Sequence, residues 1–157
     1  MTRDALRSHA VDDDAARFVG RERALGVIEG LLAELEQEAE TTRRVLERIP
    51  QAHLSWRPHP KSMSLGQLAL HVATVPGGVA ELAAQDTIPE PPSFVQPEAT
   101  SAAELVPTLD ASVARAKSTL GGFDDVRMGE TWRLLSDGQE ILAMPRAAVV
   151  RTIMLNH

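Results

Sequence analysis

The chain has 157 residues, a length typical of one domain, and its 43% hydrophobic and 24% charged residues are ordinary for a globular protein. Its formal net charge of −6 argues against a general nucleic-acid binder, because phosphate recognition requires a basic face. The absence of cysteine excludes disulfides, thiolate metal ligands and a cysteine nucleophile, and no apolar run reaches the roughly 18 residues of a membrane span.

The N-terminal part of the chain is polar, and the first clear helical pattern begins after it. Residues 1–22 have no clear period and carry three consecutive aspartates, so they predict a tail or an extra helix rather than a secretory signal. We therefore expect a cytoplasmic protein. From Ile28 to Ile49, apolar positions recur at alternating spacings of 4 and 3, which predicts a long amphipathic helix that ends at Pro50.

A second helix is predicted after the proline-rich loop at residues 50–63. Ser64 and Gln67 have the spacing of a capping box, which marks the helix start. Helical spacing then places His71 on an otherwise apolar buried stripe, whose other members are Leu68, Val75, Val79 and Leu82. Pro76 should kink the helix just after this histidine, because a proline has no N–H to donate to the preceding turn.

A third helix is predicted after the proline-rich connection at residues 87–100. Its start is marked by a second capping box, formed by Ser101 and Glu104. Its buried stripe consists of Leu105, Leu109, Val113, Ala116 and Leu120. The stripe ends at Gly121, a residue type common after helix ends.

The remaining elements are a hairpin and a fourth helix. Residues 131–142 predict a β-hairpin that turns at Asp137 and Gly138, and Pro145 predicts the first turn of a fourth helix. Four amphipathic helices with a small hairpin between the third and the fourth predict an all-α fold, an antiparallel four-helix bundle.

Two of the five histidines lie on predicted buried stripes, and these two are on different helices. His71 is on the second helix and His157 is on the last one, whereas His9 is in the tail and His53 and His59 are in the loop. A single core histidine is more often a hydrogen-bonded core residue than a ligand. Two buried imidazoles in one bundle would both be satisfied by a shared metal. Spacing alone leaves both interpretations open.

Other charged residues give weaker indications. Arg146 and Arg151, near the start of the last helix, would either hold an anionic substrate or lie in solvent, and we expect solvated surface. We also expect the glutamates of the first helix to lie on the solvated surface: Glu34, Glu36, Glu38 and Glu40. They do not form the E-x-x-H motif of a di-iron site. No acidic residue is predicted on a stripe close to a histidine, so no catalytic residue is assigned.

Two stretches resemble a known family. LSWRPHPKSMSLGQLALHVATVPG, residues 54–77, resembles the DinB/YfiT-like superfamily of metal-binding four-helix bundles, whose members have a Trp-Arg-Pro loop followed by a serine-capped helix with an inward histidine. MPRAAVVRTIMLNH, residues 144–157, resembles the start of the family's final helix. The resemblance implies a DinB-like bundle over residues 23–157, with residues 1–22 outside it.

The resemblance also implies a metal site and an activity. Family members hold a divalent metal, often nickel or zinc and with iron also compatible, through three histidines. His71 matches the ligand of the second helix, and His157 matches the first histidine of an H-x-x-x-H motif on the last helix. The third ligand would fall four residues beyond His157, so we expect the last helix to be truncated in this chain. The implied protein is a homodimeric, thiol-dependent transferase or hydrolase that acts on a small molecule and uses a low-molecular-weight thiol.

Four further residues are candidates for a pocket beside such a metal. They are Trp56, Arg57 and His59 in the loop and Asn156 next to the last histidine. Packing of the loop is the alternative role for Trp56, and surface polarity is the alternative for Asn156. The alternative to an enzyme is a non-catalytic, dimerising helical module in which the two stripe histidines are structural or vestigial.

Overall fold

The computed structural model describes residues 28–91 and 96–155. The predicted tail at residues 1–22 and the residues Asn156 and His157 lie outside these ranges. The described helices are, in chain order, α1 at residues 28–46, α2 at Leu65–Ala84, α3 at Leu105–Leu120, α4 at Asp125–Gly129 and α5 at Arg146–Val149, which continues as a π-helical turn at Val150–Met154. Two short 3₁₀ turns lie at Gln51–His53 and Ala102–Glu104.

A three-stranded sheet connects the helical part of the chain to α5. Its strands are β1 at Thr87–Ile88, β2 at Thr131–Ser136 and β3 at Gln139–Pro145. The predicted hairpin is confirmed: β2 and β3 are antiparallel, and Asp137 and Gly138 have the positive φ angles, 51° and 74°, that a type I′ turn requires. The parallel pairing of β1 with β2 was not predicted. The described chain is thus mostly helical, as predicted, and its small sheet has one strand more than the predicted hairpin.

Both predicted capping boxes are present. The Gln67 backbone N–H donates to Ser64 Oγ over 3.1 Å, and the Ser64 N–H donates to Gln67 Oε1 over 3.0 Å. At the second box, the Thr100 and Ser101 backbone N–H groups donate to the Glu104 carboxylate and lower the pKa of that group. These local bonds fix where the chain enters α2 and the turn that leads into α3.

Two apolar clusters form the core, one toward each end of the helices. The first joins α1, α2, α3, the sheet and the last helix, with Leu35, Val79, Leu120, Trp132 and Val150 among its buried members. The second joins the other halves of the first three long helices, with Leu46, Leu54, Ala73, Leu105 and Leu109 among its members. In the described chain the last helix contributes to the first cluster and not to the second.

The C-terminal end of α2 is capped by side chains from the sheet and its flanking helices. The last carbonyls of a helix have no partner within the helix, so they need donors from elsewhere. Here the donors are Trp132 Nε1 to Leu82 over 3.0 Å, Arg127 Nη2 to Ala84 over 2.8 Å, and Arg146 Nη1 to Ala83 and, over 2.6 Å, to Gln85. This capping attaches the sheet to the helices.

The predicted buried stripe of α2 is partly wrong. Leu68 is 47% exposed, and the fully buried positions are small residues: Ala69, Ala73, Gly77, Ala80 and Ala83. Spacing of large apolar residues therefore misplaced the buried face. Small residues allow α2 and α3 to approach closely, since an added Cβ at Gly77 would lie 3.0 Å from the Ser112 carbonyl oxygen.

Pro76 lies inside α2 as predicted, and Ser112 of α3 hydrogen-bonds to the α2 backbone on both sides of it. The buried Ser112 hydroxyl accepts the Gly77 N–H over 2.8 Å and donates to the Thr74 carbonyl over 3.0 Å. Thr74 Oγ1 in turn donates to the carbonyl of His71 over 3.0 Å. The turn of α2 that carries the histidine is thus followed at once by Pro76, and side-chain hydrogen bonds hold the backbone around this proline.

Candidate functional site

His71 lies on α2 at the edge of its buried face. It is half-buried rather than fully buried, and it lies one turn before Val75, so these two residues share one side of the helix. Val75 belongs to the first core cluster. His71 therefore lies between the apolar interior and the surface, which differs from the fully buried position that its stripe predicted.

A cavity adjoins the turn of α2 that carries His71. Its volume is about 110 Å³, and it lies between α1, α2, α3 and the π-helical turn. It is lined by Leu35, Glu38, Ala39, Thr42, Val72, Val75, Pro76, Leu109, Met154 and Leu155. Val72 follows His71 directly, and Leu155 is two residues before His157 in the sequence. The cavity is hereafter called the α2 cavity.

The described residues fit one part of the predicted metal site. No group of three or more His, Cys, Asp or Glu residues in the ranges 28–91 and 96–155 could hold a metal ion. His71 is half-buried and directly precedes Val72, which lines the α2 cavity, and an imidazole is a donor type suited to nickel or zinc. The other predicted ligand, His157, lies outside the described residues. Metal binding therefore stays a prediction.

The candidate pocket residues of the loop are all exposed. Trp56 is 58% exposed, and neither it nor Arg57 or His59 lines the α2 cavity. Local hydrogen bonds hold the loop instead: Arg57 Nη1 donates to the Ser62 carbonyl over 2.6 Å, and the Lys61 N–H donates to His59 Nδ1 over 3.1 Å. Asn156, the fourth candidate, lies outside the described residues.

Arg146 corrects the expectation of a solvated side chain. Its side chain is 0% exposed, and it donates to three backbone carbonyls and, over 2.7 Å, to the carboxylate of Asp86. A guanidinium with its donors committed in this way serves the structure and does not receive an anionic substrate. Arg151 follows the expectation, because it is exposed and pairs with Glu34.

Glu38 is the residue of the α2 cavity that the sequence analysis assigned to solvated surface. It is exposed but lines the cavity, and no hydrogen bond or ion pair joins its carboxylate to another described residue. Its neighbours on α1 are each paired with a cation: Glu34 with Arg151, Glu36 with Lys117 and Glu40 with Arg43. Spacing could have placed it correctly, because it lies three residues after Leu35 and four before Thr42 on the predicted stripe.

An apolar groove lies beside the α2 cavity, between α1 and α2. Its volume is about 280 Å³, and it shares Thr42 and Val72 with the cavity. Its other lining residues are Thr41, Val45, Leu46, Ile49, Leu65, Leu68 and Ala69. Val45 and Leu68 are 59% and 47% exposed, so the groove presents apolar surface to solvent. We call it the α1–α2 groove.

The described chain is mostly helical, has a small sheet and carries His71 on α2. These features agree with the bundle family that the loop and helix motifs resemble. A family model described as the DinB superfamily matches residues 34–153, which is more than half of the chain. The chain belongs to the DinB superfamily. No significant match was found among curated proteins or among solved structures. Of the helices in the described ranges, none has the length and apolarity needed to cross a membrane.

Proposed function

We propose that the protein is a divalent-metal-dependent enzyme, a thiol-dependent transferase or hydrolase, whose metal is held by His71, His157 and a third ligand. Membership of the DinB superfamily supports this proposal. The observation that carries it is the half-buried position of His71 on α2, next to Val72, which lines the α2 cavity. Nickel or zinc is the expected metal, with iron next, because imidazole donors without thiolate suit these ions.

The chain's own residues would prepare the site for a small substrate. When bound, the metal supplies a Lewis acid that lowers the pKa of a bound water or thiol and so provides a nucleophile at neutral pH. The side chains of Leu35, Val75 and Leu109 give the α2 cavity part of an apolar wall against which a small substrate would pack. The hydrogen bonds of Thr74 and Ser112 hold the backbone next to His71 in place.

Metal analysis of two matched variants tests the proposal. His71→Ala removes the proposed ligand, whereas His53→Ala removes an exposed histidine of the loop. We expect the purified protein and His53→Ala to contain about one metal ion per chain, and His71→Ala to contain less than about a tenth of that, since losing an imidazole opens the coordination shell. Inductively coupled plasma mass spectrometry measures the content and identifies the metal.

Two results would contradict the metal site. One is a metal content near zero in the unaltered protein, and the other is equal content in His71→Ala and His53→Ala. Circular dichroism of both variants separates a lost ligand from a lost fold. His157→Ala provides a second, independent variant, and it should lower the metal content as His71→Ala does.

A second candidate function is a non-catalytic, dimerising helical module, which the α1–α2 groove favours. Exposed apolar side chains that lie together often mark a protein interface. In this module His71 and His157 are structural or vestigial. A homodimer is also part of the enzyme proposal, so the metal content and the oligomeric state together distinguish the two functions.

Sedimentation velocity on two variants tests whether the groove dimerises. We expect Leu68→Gln to weaken the dimer by about tenfold or more, because burying a leucine side chain is worth about 1.5 kcal/mol or more. Val126→Gln is the control, since Val126 is 75% exposed on α4 and does not line the groove. A protein that is monomeric at all concentrations, or equal dimerisation of the two variants, would contradict a dimer through this groove.

A further inference from the structure

We propose that the α2 cavity binds a small molecule that presents a positively charged ammonium group to Glu38. This inference goes beyond the metal-dependent function, and it requires neither a metal nor a particular reaction. It rests on the charge, the hydrogen-bonding character and the size of the cavity.

The charge argument begins with Glu38. Its carboxylate lines the cavity without an ionic partner among the described residues, whereas the glutamates before and after it on α1 are paired. The described lining includes no lysine, arginine or histidine. Glu38 is the one charged residue of the described lining, and a negative charge at a concave site attracts a cation and repels an anion.

The hydrogen-bonding groups of the lining point in the same direction. Glu38 supplies a carboxylate acceptor, while the hydroxyl of Thr42 is the one side-chain donor of the described lining. Such a set favours ligands with several N–H donors, and an ammonium group has three.

The size of the cavity limits the ligand. An apolar cavity of about 150 Å³ holds one benzene molecule, which has six non-hydrogen atoms. By proportion, the cavity of about 110 Å³ holds a group of about four or five non-hydrogen atoms. Its apolar walls include Leu35, Val75, Leu109 and Met154. The ligand class is therefore a short aliphatic amine, or a larger molecule that inserts the ammonium end of a short aliphatic chain.

Three probes of equal size distinguish charge recognition from simple filling of the cavity. n-Butylammonium, 1-butanol and propanoate each have five non-hydrogen atoms and differ in charge. Each is titrated into the protein with ¹³C-labelled Leu, Val and Met methyl groups, and the shifts of Leu35, Val72, Val75 and Met154 are followed by NMR. We expect n-butylammonium to bind about tenfold more tightly than propanoate, and its affinity to fall with added salt.

The matched variants are Glu38→Gln and Glu40→Gln. Both remove one negative charge from α1, but Glu40 lines a different groove, between α1 and α3, beside Arg43. We expect Glu38→Gln to weaken n-butylammonium binding by about three- to fivefold, the effect of losing a partly exposed ion pair. Binding of 1-butanol should not change in Glu38→Gln, and Glu40→Gln should bind all three probes as the unaltered protein does.

Three outcomes would overturn the inference. They are the absence of n-butylammonium shifts at the cavity methyl groups, equal affinity for n-butylammonium and propanoate, and equal losses in Glu38→Gln and Glu40→Gln. Because the readout is binding of a probe rather than metal content or activity, this experiment can fail while the metal analysis succeeds, and the reverse also holds.

Discussion

Arg146→Met is expected to lower the free energy of unfolding by about 3 kcal/mol. The side chain is fully buried, and it supplies the donors for the carbonyls of Ala83, Gln85 and Arg127. Methionine fills similar space without donors, so these carbonyls lose their partners at about 1 to 3 kcal/mol for each that stays buried. The ion pair with Asp86 contributes less, because that carboxylate is 69% exposed and water can solvate it.

Urea denaturation of a small set of variants measures this effect. Arg146→Lys keeps the charge but has three donors on one nitrogen in place of a planar fork, so it should recover only part of the loss. Arg151→Met is the control, because Arg151 is 57% exposed and pairs with Glu34, and it should cost about 1 kcal/mol or less. A loss in Arg146→Met no larger than that in Arg151→Met would contradict the structural role of the buried guanidinium.

The burial of Arg146 could not be predicted from the sequence, because its partners are distant in the chain. Ala83 and Gln85 are 63 and 61 positions away, and they become acceptors only because α2 ends beside the first residue of α5. The same reason hid β1. A strand of two residues, Thr87–Ile88, has no pattern of its own and exists through its parallel pairing with β2.

Features determined by neighbours in sequence were predicted correctly. The two capping boxes and the turn at Asp137 and Gly138 depend on residues at most three positions apart, and the structure confirms all three features. The buried stripe of α3 was also correct at Leu105, Leu109, Ala116 and Leu120. The stripe of α2 failed at Leu68, because the interface with α3 is built from alanine, glycine and serine rather than from large apolar residues.

At the candidate site, too, local sequence features were predictable and features formed by distant residues were not. The family motif and the helical spacing located His71 on the inner side of α2, although at the edge of the buried face. The α2 cavity was beyond the sequence pattern, because it forms where three helices and the π-helical turn leave a gap. Glu38 was within reach of spacing alone, but its identity as a charged residue favoured the assignment to surface. That Glu38 has no ionic partner while Glu34, Glu36 and Glu40 have one becomes visible only when the partners are known.

The close contact between α2 and α3 gives a second large effect, which two adjacent glycines can measure. At Gly77 an added Cβ would lie 3.0 Å from the Ser112 carbonyl oxygen and 3.1 Å from its Oγ, so the backbone of α3 would have to move. At Gly78 an added Cβ meets nothing within 4 Å. Both glycines are inside α2, so they share the gain of about 0.5 to 1 kcal/mol that alanine brings to a helix interior.

Gly77→Ala should therefore destabilise the protein and Gly78→Ala should stabilise it, with about 2 kcal/mol between their free energies of unfolding. The difference arises because crowding in a packed interior costs about 1 to 3 kcal/mol, more than the helix propensity returns. Ser112→Ala should lower stability as Gly77→Ala does, because it leaves the Gly77 N–H and the Thr74 carbonyl without their hydroxyl partner. Urea denaturation measures all three variants. Equal stabilisation by the two glycine substitutions would mean that α2 and α3 lie farther apart at Gly77 than the 3.0 Å distance implies. The backbone next to His71 would then lack the support that Ser112 provides.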